Sequence, residues 1–222
     1  MVLNCYTLLG IVTDIWLLKV KINQCVNLSW LSVNHWGSDP SPFRRAYFSG
    51  PVPETQVTLL NMNIFLLDNN IQRCARFHCD LHVIKMLLEG TQILCSVSHL
   101  NKIITPYKPT HLKHPSVIWA GKSFQNWLWL KTLVFELNKE YRYRYDSSKD
   151  HKSYEVAKNL EIPPLPALGL LEHPQVMPEK YKVLGDPVKA YRKFYIHEKT
   201  KFATWRKRKI PHWCKIVPES ES

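Results

Sequence analysis

Two long stretches with helical periodicity constrain the fold of this chain more than any other feature. In the first, at about residues 71–99, apolar side chains recur at helical spacing at Phe77, Leu81, Ile84 and Leu88. The second follows Pro115, with Ser116 as the expected N-cap, and its apolar stripe comprises Trp119, Trp127, Leu130, Val134 and Leu137. This pattern predicts a mainly α protein whose long helices each bury one face in a common core.

Three shorter signals complete the predicted fold. Asn63–Leu67 reads as one short N-terminal strand, and Asp68–Asn70 reads as a turn that could also cap the first helix. Five prolines make residues 162–178 non-helical, and this segment is expected to wrap the helices in extended form. Asp186-Pro187 pairs an N-cap with a proline at the first helical position, which predicts a further helix. We therefore expect a compact helical domain.

The distribution of charge divides the chain at Met62. Its 222 residues hold 30 Lys and Arg against 18 Asp and Glu, a net charge of +12. Residues 1–61 contribute only four of the basic and three of the acidic side chains. We expect a poorly specified extension, residues 1–61, followed by a basic helical domain, residues 62–222. The surplus favours a polyanionic partner, foremost DNA as damaged duplex or single strand, with RNA as an alternative.

Composition excludes several classes of protein. With seven glycines, neither GxGxxG nor GxxxxGK[ST] can be assembled, which excludes the usual Rossmann enzymes and P-loop NTPases. The six cysteines form no CxxC pair and are interpreted as reduced intracellular thiols. The apolar stretch Val2–Leu18 contains Asn4 and Asp14 and lacks a basic start, so neither a signal peptide nor a membrane span is expected. We expect an intracellular protein with no membrane partner and no cofactor.

A polar stripe on the first long helix is the strongest candidate for chemistry. At 3.6 residues per turn one face carries His78, His82, Lys85, Glu89 and Gln92. In the simplest interpretation this face is exposed and Lys85–Glu89 is a helical ion pair worth ~0.3 kcal/mol. In a functional interpretation Glu89 is a general acid or base, or stabilises positive charge, while Lys85 and the histidines contact phosphate or a leaving base.

A metal site is a third interpretation of the same stripe. His78 and His82 lie four positions apart, and Asp80 or a histidine of the 111–114 turn would complete the ligands. Asp80, however, would point about 200° away from His78 around a helix, and no HExxH motif or cysteine pair supports the site. The prediction is no metal, with His78 and His82 kept as a weak alternative.

Three basic segments are candidates for binding nucleic acid. The turn before the second long helix would hold its cations beside a helix N-terminus, at Lys108, His111, Lys113 and His114. Two further segments interleave bases with aromatic rings, at Arg142 and Arg144 and at Trp205, Arg206, Lys207, Arg208 and Lys209. Simpler interpretations are a solvated loop for the turn, core packing for the aromatic rings, and a nuclear localisation signal for Arg206–Lys209.

From Met62 onward the sequence resembles a family of uncharacterised proteins common in phages and large DNA viruses. The resemblance rests on these blocks: Met62–Phe65, His78–Met86 with Glu89 and Gln92, Tyr107–His111 with His114-Pro115, Trp119, Asp186–Arg192 and Ala203–Trp205. It implies a viral-type protein, located in the host cytoplasm or nucleus, whose working form begins at or near Met62.

The same region is also similar to the pyrimidine-dimer DNA glycosylases of the endonuclease V type. His82 and Glu89 have the spacing of a histidine and the catalytic acid in that family, and the turn ending in His114-Pro115 and the segment Thr204–Lys207 are similar too. This similarity implies base excision through a Schiff base formed by an N-terminal amine, here that of Met62, with Glu89 assisting and Lys85 as the other candidate amine. The alternative is a DNA- or RNA-binding protein without enzymatic activity, in which Lys85 and Glu89 are only a structural pair.

Overall fold

The computed structural model describes residues 62–214, and the predicted extension at residues 1–61 lies outside the described part. Six α-helices form this part: α1 (Ile71–Phe77), α2 (Asp80–Leu100), α3 (Pro115–Lys122), α4 (Phe124–Tyr145), α5 (Lys152–Lys158) and α6 (Pro187–Glu198). Two short 3₁₀ helices lie at Glu179–Tyr181, before α6, and at His212–Cys214, after it. The mainly α class is confirmed.

The first predicted helix is two helices, because the chain breaks at His78 and Cys79. Both residues are extended, with ψ of 137° and 164°. The Cys79 N–H donates to the Tyr195 hydroxyl at 2.8 Å, and the Asp80 N–H donates to the Thr204 carbonyl at 2.8 Å. These partners from distant parts of the chain replace the helical acceptors, and no local sequence signal predicts them.

The second predicted helix is also interrupted, at Ser123. This residue is extended and starts α4, since its side chain accepts a hydrogen bond from the Gln125 N–H, while its hydroxyl donates to the Gly169 carbonyl at 2.7 Å. The predicted N-cap Ser116 is wrong: His114 caps α3 and Pro115 takes the first helical position.

The predicted strand at Asn63–Leu67 is wrong. In the described part of the chain this segment has no regular secondary structure and pairs with no strand. Its backbone bonds instead to side chains, as the Asn63 N–H does to Glu89 and the Leu67 N–H to the Cys74 sulfur at 3.3 Å. Its side chains are buried, so the segment fills the core rather than a sheet. The cap prediction holds, because the Asn70 side chain accepts from the Arg73 N–H.

The core lies where α2 crosses α4, with α1, α3 and α5 packed around α4. Gly90 permits the close approach of the two long helices, since a Cβ atom there would lie 2.7 Å from the Cγ2 atom of Val134. Residues 162–178 are non-helical as predicted, and they lie along α3 and α4, where the Leu171 carbonyl accepts from the Trp119 indole at 3.1 Å. Asp186 caps α6 as predicted, with Pro187 at its first position.

Candidate functional site

Glu89 lies in the middle of α2 with only 8% of its surface exposed. Its Oε2 accepts the Asn63 N–H at 3.1 Å, and its Oε1 lies 3.4 Å from Nζ of Lys85. Burial raises the pKa of the Glu89 carboxyl above its usual value, and Lys85, the Asn63 N–H and His111 limit that rise. A carboxyl in this environment can exchange a proton closer to neutral pH than an ordinary glutamate can.

The main chain of Met62 lies beside this carboxyl. Its nitrogen is three covalent bonds from the Asn63 nitrogen that donates to Glu89, and is therefore at most about 4.3 Å from that nitrogen. The Met62 side chain is buried, with 3% of the residue exposed. A chain that began at Met62 would thus carry its α-amine within about 7 Å of Oε2 of Glu89.

The predicted phosphate-binding turn reaches the same pair through His111. This residue is exposed, has φ of +51°, and is close enough for its charge to lower the pKa of Glu89. His114 is occupied as the cap of α3, where its Nδ1 accepts from the Ser116 N–H at 3.2 Å, and burial lowers its pKa. Lys108 and Lys113 are exposed. The turn therefore offers two solvated lysines, at Lys108 and Lys113, and one histidine, His111, whose charge acts on Glu89.

His82 lies on α2 but points into the core. It is 3% exposed, its Nδ1 lies 2.7 Å from the Tyr195 hydroxyl, and its ring stacks on Phe65 with centroids 4.6 Å apart. Burial, and then the charges of His78, Lys85 and Lys199, hold its pKa well below the usual value. It is a neutral packing residue, so its predicted direct catalytic role has no support in these contacts.

His78 does not belong to the polar stripe, because the helix breaks there. It is fully buried, its Nδ1 lies 2.7 Å from the Cys74 carbonyl, and burial lowers its pKa to about 4. Within residues 62–214, no three histidine, cysteine or acidic side chains lie close enough to hold a metal ion. His78 and His82 therefore have no third ligand among the described residues.

Arg144 was expected to bind nucleic acid, and that prediction is wrong because its side chain is fully buried. Its guanidinium donates to Glu140 at 3.0 Å and to Asp80 at 3.2 Å. It also donates to the carbonyls of Arg76 and His78, both at 2.8 Å. All of these contacts are internal, and they fasten the C-terminal end of α4 to the break between α1 and α2. Arg142, on the opposite face, is half exposed and lies 3.5 Å from Asp150.

The basic run at residues 206–209 is an ordered loop rather than a free tail. Asp80 fixes its start, because its carboxylate accepts the Arg206 N–H at 2.9 Å and the Thr204 hydroxyl at 2.9 Å. Arg208 donates twice to Glu140, at 3.0 and 2.7 Å, and Lys207 pairs with Asp146.

Two cations of this loop, Arg206 and Lys209, are exposed to solvent. The Trp205 indole donates to the Phe77 carbonyl at 3.0 Å, so this ring packs on the protein. The Arg206 guanidinium lies over the Tyr145 ring at 5.4 Å, and both Arg206 and Lys209 are exposed. Of the predicted run, Arg206 and Lys209 therefore keep the greatest freedom to meet a phosphate.

Comparisons with known proteins return no match: no family model, no curated protein and no solved structure is similar to this chain. In residues 62–214 no helix is both long and apolar enough to cross a membrane.

The sequence did not predict the contacts that build this site. Asn63, Asp80 and Tyr195 hold Glu89, the basic loop and His82 in place. Neither Asn63 nor Tyr195 is among the candidates, and Asp80 is considered there only as a metal ligand. One signal could have found Asn63 and Asp80, although not Tyr195. Asn63, Asp80, Tyr191 and Thr204 all lie in the blocks that carry the viral resemblance, and the structure joins these blocks, Tyr191 to Asn63 at 3.0 Å and Thr204 to Asp80.

Proposed function

We propose that this protein binds DNA and excises a damaged base at the site formed by Glu89, Lys85 and the main chain of Met62. The observation that carries the proposal is the position of Glu89. Its carboxylate is buried, held by the Asn63 N–H and paired with Lys85, rather than spread on the surface as an ordinary ion pair. Such a group suits chemistry at a sugar C1′, where positive charge develops in the transition state.

The proposed reaction starts with an unprotonated amine. Its nitrogen forms a bond to C1′ while the bond from C1′ to the base breaks, and the base leaves with the electron pair and takes up a proton. The amine then loses a proton to Glu89, and O4′ gains one as the sugar ring opens, which leaves a protonated C=N bond. In a chain that begins at Met62 the α-amine is the favoured nucleophile, because its ordinary pKa of about 7.7 to 8.0 is far below that of lysine. In the longer chain, Lys85 is the candidate.

Replacement of Glu89 by glutamine tests the role of the acid. We expect Glu89→Gln to retain folding and DNA affinity while the incision rate on a duplex with a pyrimidine dimer falls at least ~10²-fold. Glu136→Gln is the matched control, since Glu136 also pairs with a lysine on its own helix, at 2.6 Å. A loss of thermal stability with no separate loss of activity would instead identify Lys85–Glu89 as a structural pair.

Borohydride reduction tests the amine. It converts the C=N bond to a stable C–N bond, so the protein becomes trapped on an abasic-site duplex. We expect a chain starting at Met62, once its thermal melt shows that it is folded, to trap better than the full chain and to lose trapping when its N-terminus is blocked. Equal trapping in all three proteins would exclude the Met62 amine, and Lys85→Met would then test the lysine.

A second candidate function is nucleic-acid binding without catalysis. It is favoured by exposed groups at the C-terminal end of α4 and in the basic loop: Arg142, Arg206 and Lys209 are exposed, and Lys207 and Arg208 lie over the exposed Tyr143 ring at 5.6 and 4.2 Å. Affinity for DNA or RNA with neither incision nor trapping would support this function in place of base excision.

A further inference from the structure

Phe202 is an aromatic ring that the fold leaves in solvent beside the candidate site. It is 45% exposed, and its ring packs against the His82 imidazole in a T-shaped arrangement, with centroids 5.7 Å apart and ring planes at 78°. His82 occupies the first turn of α2, the helix that carries Glu89. His82 and Glu89 are seven positions apart in the sequence, which corresponds to about 10 Å along the helix.

The other two aromatic residues of the C-terminal segment have structural roles. The Trp205 indole donates to the Phe77 carbonyl, and the Trp213 ring packs against Phe77 and Tyr195 at 5.7 and 6.0 Å. Tyr143 is exposed, but its ring carries the Arg208 guanidinium at 4.2 Å. Core packing thus accounts for the two tryptophans and does not account for Phe202.

The backbone around Phe202 is held on both sides. Its N–H donates to the Lys199 carbonyl, and the next N–H, that of Ala203, donates to the Thr200 carbonyl, both at 3.3 Å. Thr204 is then fixed to Asp80 by two hydrogen bonds, one through its carbonyl and one through its hydroxyl. The ring is therefore presented from a fixed turn, so little backbone entropy would be lost when it meets a ligand.

Lysines lie close to this ring in the chain, at Lys199 and Lys201. Lys199 and Lys85 are near enough to one another that Lys85, after burial, lowers the pKa of Lys199, and both act on His82. Lys201 is exposed next to Phe202 in the chain. An exposed ring among lysines matches the pattern that binds unpaired nucleotides, in which cations neutralise the phosphates and the ring stacks on a base.

We propose that Phe202 stacks on an unpaired base next to the nucleotide held at Glu89. This inference rests on the proposed DNA binding and adds the residue that would hold the unpaired region open. Every base has a π-face, so the contact would favour distorted or single-stranded sites without selecting a sequence.

The test uses the full chain and a duplex with 2-aminopurine beside a stable abasic-site analogue. The unaltered protein should bind and change the 2-aminopurine fluorescence as the ring stacks. Phe202→Leu, which keeps an apolar side chain, should abolish that change and weaken binding roughly 5- to 150-fold, while Phe202→Trp should restore both. The control is Ile104→Ala, because Ile104 is apolar, 97% exposed and far from α6 in sequence. This variant should leave both the DNA affinity and the fluorescence change unaltered.

The outcomes separate the two proposals. If the unaltered protein binds DNA but Phe202→Leu binds equally well with the same fluorescence change, the stacking role is wrong and the DNA-binding function stands. If the unaltered protein binds neither duplex nor single-stranded DNA, the proposed function itself is wrong.

Discussion

Replacing Arg144 by glutamine should greatly lower the free energy of unfolding without a direct effect on DNA affinity. The fully buried guanidinium donates to two carboxylates and two backbone carbonyls. Glutamine is shorter and uncharged, so Asp80 and Glu140 would lose the partner they share, and both are at most 5% exposed. Breaking a buried ion pair from one side costs about 3–5 kcal/mol, a large fraction of the ~5–15 kcal/mol that stabilises a typical protein.

The assay is equilibrium unfolding in urea at pH 7, with DNA affinity measured at a temperature where the variant remains folded. For a protein of this size the expected loss corresponds to a Tm lower by roughly 6–20 °C. Arg142→Gln is the matched control: it lies two residues away on α4, its side chain is 50% exposed, and its pair with Asp150 is long at 3.5 Å. We expect that control to cost less than ~1 kcal/mol.

Two results would refute this reasoning. If Arg144→Gln and Arg142→Gln had the same stability, the buried network would contribute nothing. If Arg144→Gln kept its stability but lost DNA affinity, the arginine would have to reach the ligand, and the buried position would be wrong.

Three further predictions follow from buried groups and exposed cations. Gly90→Ala should destabilise the protein by about 1–3 kcal/mol in urea unfolding despite the better helix propensity of alanine. Val134→Ala removes the clashing methyl, so the double variant should lose less stability than the sum of the two single changes, and additive losses would exclude the clash. Arg206→Gln with Lys209→Gln should lower the slope of log K against log salt by up to ~0.9 per lost phosphate contact, and an unchanged slope would remove them from the DNA interface. Burial lowers the pKa of His78 and of His173 to about 4, so the unfolded state binds more protons than the folded state between about pH 6.5 and 4. The free energy of unfolding should therefore be highest above pH 6.5 and fall as the pH drops through that window, by up to ~1.4 kcal/mol per pH unit for each histidine. His78→Gln should reduce this slope, and an unaltered slope would show that His78 does not titrate there.

Local signals in the sequence predict the class of fold and several helix ends. The helix starts at Asn70 and at Asp186-Pro187 depend only on neighbours in the chain, and they hold in the structure. The predicted apolar spacing of the first long helix does not mark its buried face, because Leu81 and Ile84 are only partly buried and Leu88 is 41% exposed, while Val83, Met86 and Leu87 are buried. The same spacing could not show the breaks at His78–Cys79 and Ser123. Those breaks exist because Tyr195, Thr204 and Gly169 supply hydrogen-bond partners from elsewhere in the chain.

The candidate site shows the same limit. A helical face at Lys85 and Glu89 can be read from the sequence, but burial decides which members of the stripe face solvent, and it removes His82 from that face. Arg142 and Arg144 look alike in a basic and aromatic segment. Only the position of α4 against α1 and α2 turns one of them to solvent and the other into the core.

Helix α2 couples the two halves of the proposed site. Its first residue, Asp80, fixes the loop that carries Phe202 and Arg206, and its middle carries Glu89, which holds the chain at Asn63. A helix is stiff over this distance because each turn is hydrogen-bonded to the next. Any shift of α2 would therefore move the anchor of the basic loop and the candidate acid together. Replacing Thr204 by valine removes one hydrogen bond to Asp80 from the loop side, so it should disturb the position of Phe202 and Arg206 while the Asp80–Arg144 and Glu89–Lys85 pairs remain.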